Sequence, residues 1–259
     1  MRFSAAMLGV CALGWGAWAS AGEPDTSGLY LGFGGGYGEI AGSDLERNFS
    51  DGAAEFGGTG DLSLDNDQDV FEVMVGFRLP GFLEFLAVEG GYINFGTYEV
   101  SGLIGGSGDD GAITDTDLQG PLGGALGGLG GLLGGLVDGI VGGILSGGAG
   151  GPFTFDGDLE VQGAFAGIAA FVPITERLEL YGRGGAFFWD VDADVLVADT
   201  ASRDRFSADE SDDGTDEYYG GGVHFKANET WGVNGGWKRF NVDGDDVDAF
   251  TLGLSVHVF

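Results

Sequence analysis

The chain has 259 residues, 41 of them Asp or Glu and 10 Lys or Arg, for a net charge of −31 at neutral pH. That balance excludes nucleic acid as a partner, because phosphate recognition needs clustered positive charge. One cysteine excludes a disulfide scaffold, and 56 glycines beside 20 phenylalanines suit a sharply curved sheet better than an ordinary acidic soluble domain.

Residues 1–21 read as a secretory signal peptide. Arg2 supplies the positive start, 5–18 form a short apolar stretch, and Ala19-Ser20-Ala21 is an A-x-A motif that predicts cleavage before Gly22. Cys11 follows Val10, which is too bulky for lipoprotein processing. Removing the segment takes away Arg2 and the cysteine and leaves a net charge of −32. No later apolar run has the flanks of a simple transmembrane helix.

Residues 22–259 hold eight predicted strands, at 28–39, 69–79, 85–100, 158–172, 178–197, 217–227, 231–241 and 248–258. The second alternates with period two: Phe71, Val73, Val75, Phe77 and Leu79 on one face, Glu72, Met74, Gly76 and Arg78 on the other. The sixth sets Tyr219, Gly221, Val223 and Phe225 against Gly220, Gly222, His224 and Lys226. The seventh sets Trp231, Val233 and Trp237 against Asn234, Gly236 and Lys238. The last sets Phe250, Leu252, Leu254, Val256 and Val258 against Ala249, Thr251, Gly253, Ser255 and His257. Connections 80–84, 173–177 and 228–230 are short. Connections 40–68, 101–157 and 198–216 are long and acidic, and only 243–246 is brief on that side. Short turns on one side and long loops on the other predict an all-β fold, an eight-stranded antiparallel up-and-down transmembrane barrel with both termini in the periplasm.

Within the extracellular insertion 101–157, residues 118–148 differ from the rest. Gly123, Gly127, Gly131, Gly135, Gly139, Gly143 and Gly147 recur every fourth residue, with aliphatics spaced by three and four and Asp138 the only charge after Asp117. Helical spacing with a small-xxx-small series predicts a helix that needs a partner or a membrane, and self-association is the role expected of it. A low-complexity loop without a role stays open beside that reading.

Three stretches carry a family resemblance: 176–192, beginning Glu176-Arg177-Leu178-Glu179-Leu180-Tyr181-Gly182-Arg183; Tyr219-Gly-Gly-Gly-Val-His-Phe; and the ending Thr251-Leu-Gly-Leu-Ser-Val-His-Val-Phe259. In that order they resemble the OmpA-like eight-stranded outer-membrane barrels, over roughly 22–100 and 158–259. The resemblance implies a bacterial outer membrane, outer-membrane lipid and lipopolysaccharide around the barrel, and periplasmic chaperones and the barrel-assembly machinery as transient partners. Two departures stand out. Val258 rather than Phe259 takes the lipid-facing phase, and the peptidoglycan-binding domain common in the family is missing, so cell-wall anchoring does not carry over.

An eight-stranded barrel has a lumen just wide enough for side chains. Strand parity sends Glu72, Arg78, Glu89, Glu160, Gln162, Arg183, His224, Lys226 and Lys238 inward. Charges in such an interior must pair or meet water, so an ion-pair network is expected, centred on Arg183 with one or more of Glu72, Glu89 and Glu160. His224 and His257 are the only histidines, and neither G-x-S-x-G nor H-E-x-x-H occurs. Asp61, Asp65, Asp67 and Asp69 lack the glycine and the twelfth-position Glu of an EF-hand, so no metal and no cofactor is expected and the acidic loops read as solvated surface. The expected function is a non-enzymatic envelope protein with a filled lumen and surface-interaction loops. A narrow gated channel and a lipid A-modifying enzyme are the alternatives.

Overall fold

The computed structural model describes residues 28–40, 59–64, 68–105, 153–199 and 205–258. Their strands are β1 (Gly28–Ile40), β2 (Thr59–Leu64), β3 (Gln68–Arg78), β4 (Leu86–Gly105), β5 (Phe153–Pro173), β6 (Leu178–Asp199), β7 (Arg205–Lys226), β8 (Trp231–Val242) and β9 (Asp245–Val258). All pairings are antiparallel. β1 pairs with both β3 and β9, and β4 with β5, so β1 and β3 to β9 close a ring of eight strands. Closure leaves this wall no free edge, the condition for spanning a bilayer with strands.

Alternation sorts the side chains. Leu29, Leu31 and Phe33 on β1, Phe71, Val75 and Phe77 on β3, and Leu252, Leu254 and Val258 on β9 point out and are exposed, as lipid-facing groups must be. Rings mark the outer edge of this band: Tyr37 stacks on Phe250 at 4.9 Å, and Tyr219 meets Trp237 at 5.7 Å. The short turns at the opposite end are closed locally. The Thr175 hydroxyl accepts from the Arg177 and Leu178 N–H groups, and the Asn228 side chain from those of Thr230 and Trp231.

Three strands run further out than sequence reading placed them. β4 continues to Gly105, β5 begins at Phe153 and β7 at Arg205, so parts of the expected loops 101–157 and 198–216 are strand, and β2 lies inside the expected loop 40–68. β4 carries a bulge between Asn94 and Thr97. Gly96 takes φ +77°, and its N–H donates to the Asn94 side chain at 2.7 Å. The bulge turns both Phe95 and Tyr98 inward, and above it β4 leaves β3 and pairs with β2. What rises above the barrel is an open sheet in the order β2-β4-β5-β6-β7. On its outer face Glu99, Asp158, Asp194 and Asp209 stand directly opposite one another on four successive strands. Like charges in that position repel. Two levels lower, partial burial and the neighbouring Asp190, Glu160 and Asp194 charges raise the Asp192 carboxyl above its ordinary value.

Candidate functional site: a charged lumen below an aromatic plug

The lumen has two halves of different chemistry. In the half toward the short turns, which contains Leu178–Tyr181, Glu179 is the hub. Arg78 donates to it through both terminal nitrogens, at 3.1 and 2.9 Å, and Lys226 Nζ at 2.8 Å. His224 Nδ1 lies 3.2 Å from Glu179 Oε2, and its Nε2 lies 3.0 Å from Ser255 Oγ. The last contact passes across β8 at Gly232, where a Cβ would come within 2.3 Å of His224 Nε2 and 2.6 Å of Ser255 Oγ. A glycine there is what lets β7 and β9 share a hydrogen bond over the intervening strand.

One layer higher, Arg183 Nη1 lies 3.5 Å from Glu89, whose other oxygen accepts from the Tyr30 hydroxyl. The Arg183 guanidinium sits 4.4 Å from the Tyr181 ring centre, and that of Arg78 sits 4.1 Å from Phe171. Lys238 pairs with Glu72 and also reaches Thr251 Oγ1 at 3.4 Å. Glu72, Glu89, Glu179, Arg78, Arg183, His224 and Lys238 are all buried, and only Lys226 reaches the rim, with about a quarter of its side chain exposed. Taking such charges out of water costs several kcal/mol per ion, which paired partners must offset. A cavity of about 20 Å³ lies between the layers, lined by Arg78, Glu89, Arg183, His224, Asn234 and Ser255 among others.

Above this the charges give way to a layer of rings. Phe95, Phe165, Phe187, Tyr218 and Phe240, with Ile93, fill the lumen and are almost wholly buried. Phe240 is the centre: its ring lies 4.7 Å from Phe187, 5.2 Å from Phe95 and 5.4 Å from Tyr218. Glycines on the inward face make room for these rings. A Cβ on Gly163 would come within 2.6 Å of the Phe187 ring, and one on Gly91 equally close to that of Phe165.

The inward-facing positions expected for Glu72, Arg78, Glu89, Arg183, His224, Lys226 and Lys238 are where the structure places those side chains. Glu160 is a correction. Leu159 and Val161 point in, so Glu160 points out and accepts from the Asn94 amide at 3.0 Å, and Gln162 likewise lies on the outer face beside Tyr92. On this strand polarity and parity conflict, and the apolar neighbours take the interior because the upper lumen is dry. Two features escaped the sequence reading. Glu179 shares its phase with Tyr181 and Arg183, so parity could have found it. The Ser255–His224 contact joins residues 31 apart across a third strand, which no local pattern encodes. The glycine series from Gly123 to Gly147, expected to mediate self-association, lies outside the described residues.

The family model of the OmpA-like transmembrane domain matches residues 24–247. The chain belongs to that family. Membership places this OmpA-like barrel in a bacterial outer membrane. No curated protein sequence matches the chain. Solved structures similar to it include the attachment invasion locus protein Ail of Yersinia pestis, at 14% identity and TM-score 0.39, with 89% of this chain and 99% of that one covered. Neisserial surface protein A is similar at 10% identity and TM-score 0.39, covering 90% and 98%. OprG of Pseudomonas aeruginosa is similar at 11% identity and TM-score 0.39, also covering 90% and 98%.

Proposed function

We propose that this OmpA-like barrel is a closed, non-enzymatic component of the outer membrane that holds an acidic sheet out from the cell surface. One observation carries the reading: the rings of Phe95, Phe165, Phe187, Tyr218 and Phe240 interlock across the lumen and are almost wholly buried. Ions crossing that layer would lose their hydration with nothing to replace it. A narrow channel would require rings packed at ordinary aromatic distances to separate, beyond any exchange of ion-pair partners below them. For an enzyme, the best geometry is Glu179–His224–Ser255, which has the order of a hydrolase triad. Ser255 is buried, and the adjoining cavity of about 20 Å³ takes a water, not an ester or an amide. The ladder Glu99–Asp158–Asp194–Asp209 supports a surface role, since its four carboxylates repel one another without serving the barrel wall. The test is a planar-bilayer recording of the refolded protein. No resolvable current steps are expected, and regular unitary steps would overturn the closed-barrel reading.

A further inference from the structure

The β8–β9 connection is two residues long, with Asp243 at φ 51° and Gly244 at φ 95°, the left-handed pair of a tight hairpin turn. Asn241 fixes it by accepting from the Gly244 N–H at 3.1 Å. The turn lies above the Trp237–Phe250 rim pair, outside the lipid-facing band. It delivers Asp245 onto the inward phase of Val247 and Ala249, at the edge of an apolar recess lined by Ile40, Leu159, Val161, Val191, Val242 and Val247. Asp245 Oδ2 is buried there without a hydrogen-bond partner. The tip is held down at a second point. Asp216 Oδ2 accepts from the Asp243 N–H at 3.1 Å and from Trp189 Nε1 at 2.7 Å.

We propose that the β8–β9 tip is a pH-responsive latch at the extracellular mouth, in which neutral Asp245 seats the tip over the apolar recess and ionised Asp245 releases it. The charges that act on Asp245 come from its own hairpin, Asp243 and Asp246. Asp216 on β7 accepts from the tip, while Glu39 on β1, Glu160 on β5, and Asp190 and Asp192 on β6 stand on the outer face of the wall. The cation at this level, Arg239, is taken up on the outer face by Asp246 and Asp248 at 2.9 and 2.6 Å. Burial, then the Asp243 and Asp246 charges, push the Asp245 carboxyl up to about 7. The seated tip therefore binds the proton more tightly than the released tip does. Seating is most favoured below about pH 4, weakens as pH climbs to about 7, and is least favoured above that.

Hydrogen exchange of the 242–247 amides in the refolded, bilayer-embedded protein tests this, at about pH 5.5 and 8.5 with intrinsic rates divided out. The wild type is expected to lose about thirtyfold in protection at the higher pH, while Asp245→Asn holds the same protection at both. Unboiled gel mobility, unchanged at both pH values, shows that the barrel itself stays closed. Equal corrected protection in the wild type at the two pH values overturns the latch, and so does an Asp245→Asn variant that loses protection as the wild type does. If Asp245→Asn does not refold, Asp245→Ala carries the same expectation and the same contrary result.

Discussion

The two halves of the lumen solve the same problem, filling a narrow tube of strands, in opposite ways. The half toward the short turns uses charges that each need a partner: Glu179 with Arg78 and Lys226, Glu89 with Arg183, Glu72 with Lys238. The other half uses rings that need only shape, with glycines such as Gly91 and Gly163 facing them across the wall. The charged half can exchange partners and stay compact. The aromatic half cannot rearrange without opening a void. In the proposed function, that difference gives register and specificity to the lower layer and closure to the upper one.

Breaking the plug has the largest expected effect. Phe240→Ala removes the ring that contacts Phe95, Phe187 and Tyr218, and should lower stability by about 3–5 kcal/mol, read as a drop in the denaturant midpoint of the lipid-embedded barrel. Removing the hub below it should cost nearly as much. Glu179→Ala strands Arg78 and Lys226 and is expected to destabilise by about 3–5 kcal/mol in the same measurement, whereas the paired change Glu72→Leu with Lys238→Met should fall within about 1–2 kcal/mol of wild type. A smaller effect sharpens the contrast. A Cβ on Gly76 would lie 2.2 Å from the Tyr30 ring, so Gly76→Ala should displace the Tyr30 hydroxyl from Glu89 and cost about 1–3 kcal/mol, with the plug intact and no current in bilayer recordings. Smallest of all is Arg239→Ala on the outer face. Its pairs with Asp246 and Asp248 are partly exposed, and a loss of about 0–1 kcal/mol is expected.

The barrel was legible in the sequence because a lipid-facing wall writes its period directly: Phe71, Val73, Val75 and Phe77 alternate with Glu72, Met74, Gly76 and Arg78, and the structure keeps that phase. The lower lumen was legible for the same reason, since a charge inside a membrane strand has only one side to go to. Polarity misled at Glu160, which shares the outward phase of Ile168 and Val172, so that it faces out while Leu159 and Val161 fill the inside. Parity failed at 85–100, where one bulge turns Phe95 and Tyr98 to the same side. The aromatic plug was hidden because its five rings come from β4, β5, β6, β7 and β8, one per strand, and no single strand reads as a plug. The strand extensions at 153–157 and 205–216 were hidden by their charge. Asp156, Asp209, Asp212 and Asp213 read as loop, and only pairing with β4 and β6 makes them sheet.

The account stands on the division of labour between the two layers, and bilayer recordings of one variant from each test it most directly. A charge-layer variant, Arg183→Gln, should remain as silent as the wild type, because the rings above it are untouched. A plug variant, Phe187→Ala with Phe240→Ala, should show current steps if it refolds, since it removes the two rings packed at 4.7 Å. Current through Arg183→Gln with the plug in place would contradict the account and make the ion pairs, rather than the rings, the closure of this barrel.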